Sequence, residues 1–133
     1  MNAANQVFVV DDDRSARRGI ARLLRAAGYN VHDFASAYDF LDAFNPGTSG
    51  CLVLDARMPG LTGEELQAEL ELLKVDLPII VVTADDDPAT RLRAQKMNAA
   101  GFFRKPVDGH ALLDAIDWAL RPGRMGDDES MSA

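Results

Sequence analysis

The chain has 133 residues, with 14 basic and 21 acidic side chains and a formal net charge of −7 at pH 7. This length suits one domain with a single core, and 47% hydrophobic with 26% charged residues is typical of a globular protein. The negative charge disfavours direct binding to nucleic acid, because phosphates would repel it. The single cysteine excludes a disulfide within the chain. No apolar run approaches the ~18 residues of a membrane helix, and the first residues are too polar for a signal peptide. We expect a cytoplasmic domain with no membrane contact.

Short apolar runs alternate with amphipathic segments along the chain. Five segments are predicted strands: Val7–Val10, Asn30–Phe34, Cys51–Leu54, Ile79–Val82 and Gly101–Phe103. Uninterrupted apolar runs favour strands that are covered on both faces, as in a parallel sheet. The second segment is different, because it alternates polar and apolar residues as an edge strand does.

Amphipathic segments between these runs are predicted helices. The first places Ile20, Leu23 and Leu24 on one side and most of its arginines on the other, and Gly28 ends it. The other four helices, with their N-terminal signals, are Ala37–Phe44 behind Ser36, Leu66–Leu73 behind a capping box of Thr62 and Glu65, Asp87–Ala99 with Pro88 in its first turn, and Leu112–Leu120 behind Asp108.

The segment from Asp87 to Ala99 has a thin apolar face, consisting of Ala89, Leu92 and Ala99 and interrupted by Lys96. A helix that buries so little is held weakly against a sheet. The pattern is equally compatible with a moving element and with an ordinary exposed helix.

Strict alternation of five strands and five helices predicts a doubly wound α/β sheet. In such sheets the site lies beyond the carboxyl ends of the strands. The residues at those ends are Asp11, Asp12 and Asp13 after the first strand, Asp55 after the third, Thr83 after the fourth, and Arg104 and Lys105 after the fifth.

Three or more carboxylates gathered at one edge repel each other and need a compensating cation. Hard oxygen ligands suit Mg²⁺, which leaves positions for phosphate oxygens, and Lys105 would add a second positive charge. Such a site would allow Asp55 to act as a nucleophile that forms an aspartyl phosphate. The hydroxyl of Thr83 would then bond a phosphoryl oxygen that exists only in the modified state, which is the basis of a switch.

Each of these residues also fits a purely structural interpretation. Asp11–Asp13 suits a helix N-terminus, Asp55 suits a turn, and a lone lysine such as Lys105 is usually a surface residue. Complementary chemistry at the ends of four separate strands favours a shared site instead.

These residues resemble the receiver domain of two-component response regulators over about residues 6–120. The motifs that carry the resemblance are Val9–Asp13, Asp55–Gly63, Val82–Ala84 and Phe102–Pro106. The resemblance implies a flavodoxin-like (CheY-like) sheet of five parallel strands in the order 2-1-3-4-5, with five helices. Residues 121–133 would form a polar tail or a truncated linker.

The resemblance also implies the role of each site residue. Asp55 would be the phosphoacceptor, and Thr83 and Lys105 would bind the phosphoryl group. Asp11 or Asp12, or both, would hold Mg²⁺ together with Asp55 and the backbone carbonyl of Arg57. Phe102 would be the switch aromatic, which turns inward as Thr83 moves.

The local sequence is similar to receivers of the FixJ/NarL type, which precede a DNA-binding domain. We therefore expect a switch that is phosphorylated by a sensor histidine kinase and controls transcription through a DNA-binding domain outside this chain. Its altered surface, made by helix 4, strand 5 and helix 5, would dock a partner or a second copy. A stand-alone receiver acting through protein contacts is the alternative.

Other function classes fit less well. A small aspartyl phosphatase would need a second acid two residues after Asp55, where Arg57 stands. A nucleotide or flavin binder would need a glycine-rich loop after the first strand, where Asp11–Asp13 stand instead. A degenerate receiver that only mediates contacts would not need an intact acceptor set. We thus expect no enzymatic activity beyond self-phosphotransfer and autodephosphorylation.

Overall fold

A computed structural model of the chain describes residues 6–56, 62–84 and 87–121. The elements in chain order are β1 (Gln6–Val10), α1 (Arg14–Ala26), β2 (Asn30–Phe34), α2 (Ala37–Ala43), β3 (Cys51–Asp55), α3 (Gly63–Leu72), β4 (Ile79–Thr83), α4 (Pro88–Lys96), β5 (Gly101–Arg104) and α5 (Gly109–Leu120). All strand pairings are parallel, and the order is β2-β1-β3-β4-β5. The predicted doubly wound sheet and its strand order are confirmed.

The core consists of two hydrophobic layers, one on each face of the sheet. Val7 and Val9 of β1 face α1 and α5, whereas Phe8 and Val10 of the same strand face α2, α3 and α4. Because both faces are covered, every residue of β3 and β4 is buried. This explains why the central strands have continuous apolar sequences rather than alternating ones.

The predicted helix boundaries correspond to real caps. The side chains of Asp13, Ser36, Thr62, Asp87 and Asp108 each accept a hydrogen bond from a backbone N–H in the first turn of the helix that follows. Gly28 and Asn98 take the left-handed conformation, with φ of 98° and 58°. Lys74 also has a positive φ, 59°, after α3, and no sequence signal pointed to it.

The predicted apolar face of the α4 segment is wrong for Ala89 and Leu92, which are exposed, and is confirmed for Ala99, which packs against the core. The helix buries Thr90 and Ala94, with Met97 at its C-cap, whereas Leu92 is 50% exposed. Thr90, Ala94 and Met97 lie on one side of the helix at spacings of four and three residues, and Leu92 lies outside this side. At the other end of α4, Nε2 of Gln67 in α3 donates a 2.6 Å hydrogen bond to the carbonyl oxygen of Met97.

Within the described part of the chain, the helices are too short or too polar to span a lipid bilayer.

Candidate functional site

Four strands end at the same edge of the sheet and carry the predicted site residues there. Leu54 pairs with Val10, so Asp55 ends β3 level with Asp11, which follows β1. Asp55 itself pairs with Val82, and Thr83 at the end of β4 pairs with Arg104. The parallel register therefore brings together residues that are far apart in the sequence.

Lys105 joins two buried carboxylates at this edge. Its Nζ lies 2.8 Å from Oδ2 of Asp11 and 3.4 Å from Oδ2 of Asp55, and these two residues are only 2% and 7% exposed. Burial opposes the charge of the lysine, but the hydrogen bond to Asp11 and the charges of both carboxylates outweigh burial and raise its pKa. Lys105 is therefore an ammonium at neutral pH and forms a fixed positive centre beside Asp55.

The three consecutive aspartates after β1 have three different environments. Asp11 is buried, and its Oδ1 accepts the N–H of Asp13 at 2.9 Å. Asp12 is exposed. Asp13 is the N-cap of α1, since its Oδ1 accepts the N–H groups of Ser15 and Ala16. The structural interpretation of the triplet thus holds for Asp13, whereas Asp11 and Asp12 face the site.

Carboxylate oxygens of Asp11, Asp12 and Asp55 all lie within 4.8 Å of one another, a grouping compatible with one shared metal ion. Lys105 offsets only one of the three negative charges. This hard, anionic, oxygen-only donor set fits a small divalent cation with water completing its shell. The predicted further ligand, the backbone carbonyl of Arg57, lies outside the described residues.

The two predicted switch residues lie on β4 and β5. Thr83 is fully buried, and its backbone oxygen accepts the N–H of Lys105 at 2.8 Å, so the two strand ends are coupled through the main chain. Phe102 is half-buried, and the guanidinium carbon of Arg91 in α4 lies 4.9 Å from the centre of its ring, a cation–π contact.

Sequence reasoning missed Arg17, which belongs to the arginines of the first predicted helix and received no role there. Its side chain is 15% exposed, and Nη1 donates to the backbone oxygen of Asp11 at 2.9 Å. Its Nε donates to Oδ2 of Asp33 in β2 at 3.2 Å. The only sequence signal was an acid at the end of an edge strand, which does not by itself identify its partner.

Comparison with known proteins agrees with this geometry. The family model described as response regulator receiver domain matches residues 7–117. Nodulation protein W of Bradyrhizobium diazoefficiens is 44% identical over 110 residues, which cover 83% of this chain and 48% of that protein. Transcriptional regulatory protein FixJ of Azorhizobium caulinodans is 40% identical over 114 residues, which cover 86% of this chain and 54% of that protein. The chain thus spans about half the length of these curated relatives.

Solved structures show the same fold. The response regulator StyR superposes with a TM-score of 0.81 at 44% identity, over 96% of this chain and 65% of that one. The crystal structure of FixJ-N gives a TM-score of 0.78 at 37% identity, over 86% of this chain and 92% of that one. The chain therefore belongs to the receiver domain family of two-component response regulators, which are phosphorylation-activated switches.

Proposed function

We propose that Asp55 accepts a phosphoryl group from a sensor histidine kinase. The observation that carries the proposal is the position of Lys105 Nζ, 2.8 Å from Asp11 and 3.4 Å from Asp55 inside a cluster of three acids. Asp55 ends β3, with β1 and its acids on one side and β4 with Thr83 on the other. Asp11 accepts the N–H of Asp13 with its Oδ1 and pairs with Lys105 through its Oδ2. It is therefore suited to holding cations near Asp55 rather than to attacking a phosphorus atom.

In the proposed step, a carboxylate oxygen of Asp55 attacks the phosphorus of a phosphohistidine. An O–P bond forms, the P–N bond breaks, and the released imidazole nitrogen keeps the electron pair and takes up a proton. The Lys105 ammonium pairs with a phosphoryl oxygen, and the Thr83 hydroxyl donates to another. Asp11, Asp12 and Asp55 would hold Mg²⁺, which when bound neutralises charge on the phosphoryl oxygens.

Replacing Asp55 with asparagine tests the acceptor directly. Incubation with acetyl phosphate and Mg²⁺ should add the mass of one phosphoryl group to the wild type and none to Asp55→Asn, because an amide is a poor nucleophile. Asp42→Asn, an exposed acid on α2, is the matched control and should be modified like the wild type. An adduct of equal yield in Asp55→Asn would refute the proposal, and sustained hydrolysis of a phosphate ester would favour the phosphatase alternative.

We further propose that phosphorylation is transmitted through Thr83 and Phe102. A new bond from the Thr83 hydroxyl to the phosphoryl group draws the end of β4 towards Asp55 and vacates space into which the Phe102 ring turns. Arg91 contacts this ring while Phe102 is half-buried at the surface, so the cation–π contact opposes the inward turn. The surface that changes is formed by α4, β5 and α5.

Removing Arg91 should therefore favour the inward position of Phe102. A cation–π contact is worth about 0.5–1 kcal/mol at an exposed site, so Arg91→Ala should shift the population about two- to fivefold. Ring resonances of Phe102 measured by NMR with and without acetyl phosphate would report this shift. Arg93→Ala, an exposed arginine of the same helix, should leave the resonances unchanged. Equal resonances in Arg91→Ala and Arg93→Ala would exclude an opposing role for Arg91.

We propose that the output of the whole protein is control of transcription, as for the relatives named transcriptional regulatory proteins. The phosphorylated chain would pair with a second copy through α4, β5 and α5, where the large apolar side chains of Leu92 and Trp118 are 50% and 46% exposed. In this role the chain is a regulatory domain without turnover of an external substrate, and the kinase is its partner in the first step. A stand-alone receiver that acts through protein contacts would use the same surface.

A further inference from the structure

The backbone of Asp11 is held at both of its polar groups, by β2 at the N–H and by α1 at the carbonyl oxygen. Its N–H donates to the carbonyl oxygen of Phe34 at 3.1 Å, and its own carbonyl oxygen accepts Nη1 of Arg17 at 2.9 Å. The carboxylate of Asp11 is 3% exposed and lies 2.8 Å from Lys105. The direction in which this carboxylate enters the acidic cluster therefore depends on the backbone that Arg17 and β2 hold.

Arg17 is itself fixed by an ion pair. Its Nε lies 3.2 Å from Oδ2 of Asp33, whose other oxygen lies 3.2 Å from Nη2 of Arg25. Arg25 also donates to the carbonyl oxygen of Val31 at 3.1 Å. Both oxygens of Asp33 thus pair with arginines of α1, and the guanidinium of Arg17 lies between Asp33 and the backbone of Asp11.

We propose that Arg17, oriented by Asp33, is a positioning residue that sets the metal affinity of the acidic cluster by holding the backbone of Asp11. This rests on the metal site of the proposed function. Metal affinity commonly falls by about 10–100-fold when a residue that hydrogen-bonds to a metal ligand and orients it is removed. A charge-assisted bond from a nearly buried guanidinium to a backbone carbonyl is among the stronger hydrogen bonds, and it loses little to solvent.

A simpler explanation is that the Arg17–Asp33 pair only fastens α1 to β2. That role would lower the free energy of unfolding without changing metal affinity in the folded protein. The proposed role changes metal affinity at temperatures where the variant remains fully folded. Metal binding and stability are therefore measured separately.

The test uses Mn²⁺ as the probe, with binding followed by water-proton relaxation and Mg²⁺ added as a competitor. Arg17→Met should weaken Mn²⁺ binding about tenfold. Arg17→Lys keeps the positive charge but cannot donate to Asp33 and Asp11 from two separate nitrogens. It should bind Mn²⁺ more tightly than Arg17→Met and less tightly than the wild type. Arg18→Met is the matched control, since Arg18 is the exposed neighbour and forms no ion pair within the described ranges; it should bind as the wild type does.

Thermal melts identify the temperature at which all variants are folded. Wild-type Mn²⁺ affinity in folded Arg17→Met would overturn the positioning role and leave the proposed function intact. If the wild type binds Mn²⁺ no better than Asp12→Asn does, the metal site of the proposed function fails, and the positioning role fails with it. Weakened binding in Arg17→Met with normal binding in Arg18→Met supports the proposal.

Discussion

Replacing Lys105 with methionine is expected to lower phosphorylation of the chain while raising its affinity for a divalent cation. The phosphoryl group loses its ammonium partner, and removal of one such preorganised donor commonly costs about 10²-fold in rate. Metal affinity rises because Asp11 and Asp55 lose the cation that lies 2.8 and 3.4 Å from their oxygens. A residue needed only for folding would not move the two quantities in opposite directions.

The same change leaves two buried carboxylates without their cation, so the metal-free protein should lose about 3 kcal/mol of stability. The pKa of Lys105 is raised above its ordinary value of 10.5, so its contribution is fully present below pH 10.5 and is lost only as pH rises through the higher folded value. The stability difference between wild type and Lys105→Met should therefore persist at neutral and moderately alkaline pH.

These effects are measured by intact mass after acetyl phosphate treatment, by Mn²⁺ titration, and by urea unfolding in EDTA with and without excess Mg²⁺. Lys96→Met, an exposed lysine at the end of α4, is the matched control and should change none of them. Lower metal affinity in Lys105→Met would show that the lysine arranges the acids rather than competing with the cation for them.

Among the glycines that the structure describes, Gly50 is the one whose replacement by alanine is expected to lower stability most. A β-carbon at this position would lie 2.5 Å from the backbone oxygen of Gln6, so β1 and β3 must move apart where they begin to pair. Backbone cannot move aside as a flexible side chain does. Overpacking and backbone strain of this kind typically cost about 3 kcal/mol.

Gly19→Ala provides the opposite case in the same protein. Gly19 lies inside α1, and a β-carbon there would meet no atom within 4 Å, so the substitution should stabilise the helix by about 0.5–1 kcal/mol. Urea unfolding of both variants measures the difference. Unchanged stability of Gly50→Ala would contradict the steric interpretation of Gly50, and a loss of stability in Gly19→Ala would contradict the prediction for α1.

The fold was predictable because several independent signals agree on it. The uninterrupted runs of β3 and β4 correspond to strands that are buried throughout, and Thr62 with Glu65 forms the capping box that their spacing indicated. Asp11, Asp55 and Lys105 meet because parallel strands share one edge for their carboxyl ends. Topology alone brings these residues together once the strands are assigned.

The remaining features depend on tertiary packing, which periodicity does not describe. In α4 the buried positions are Thr90 and Ala94 and Leu92 is exposed, whereas apolar content alone predicted that Leu92 faces the core. Arg17 lies among other arginines, and only its distance to Asp33 on a neighbouring element distinguishes it. Such contacts join elements whose relative rotation is decided by the whole core.

The hydrogen bond from Gln67 to the carbonyl of Met97 restricts how α4 can respond to the site. It fastens the C-terminal end of the helix to α3, whereas the N-terminal end, at Pro88, follows the strand that carries Thr83. In the proposed switch, a displacement of Thr83 would reach the N-terminal end of α4 first, so we expect α4 to shift more near Pro88 than at the end held by Gln67. A partner that binds the first turn of α4 would therefore meet a larger displacement than a partner that binds near Lys96.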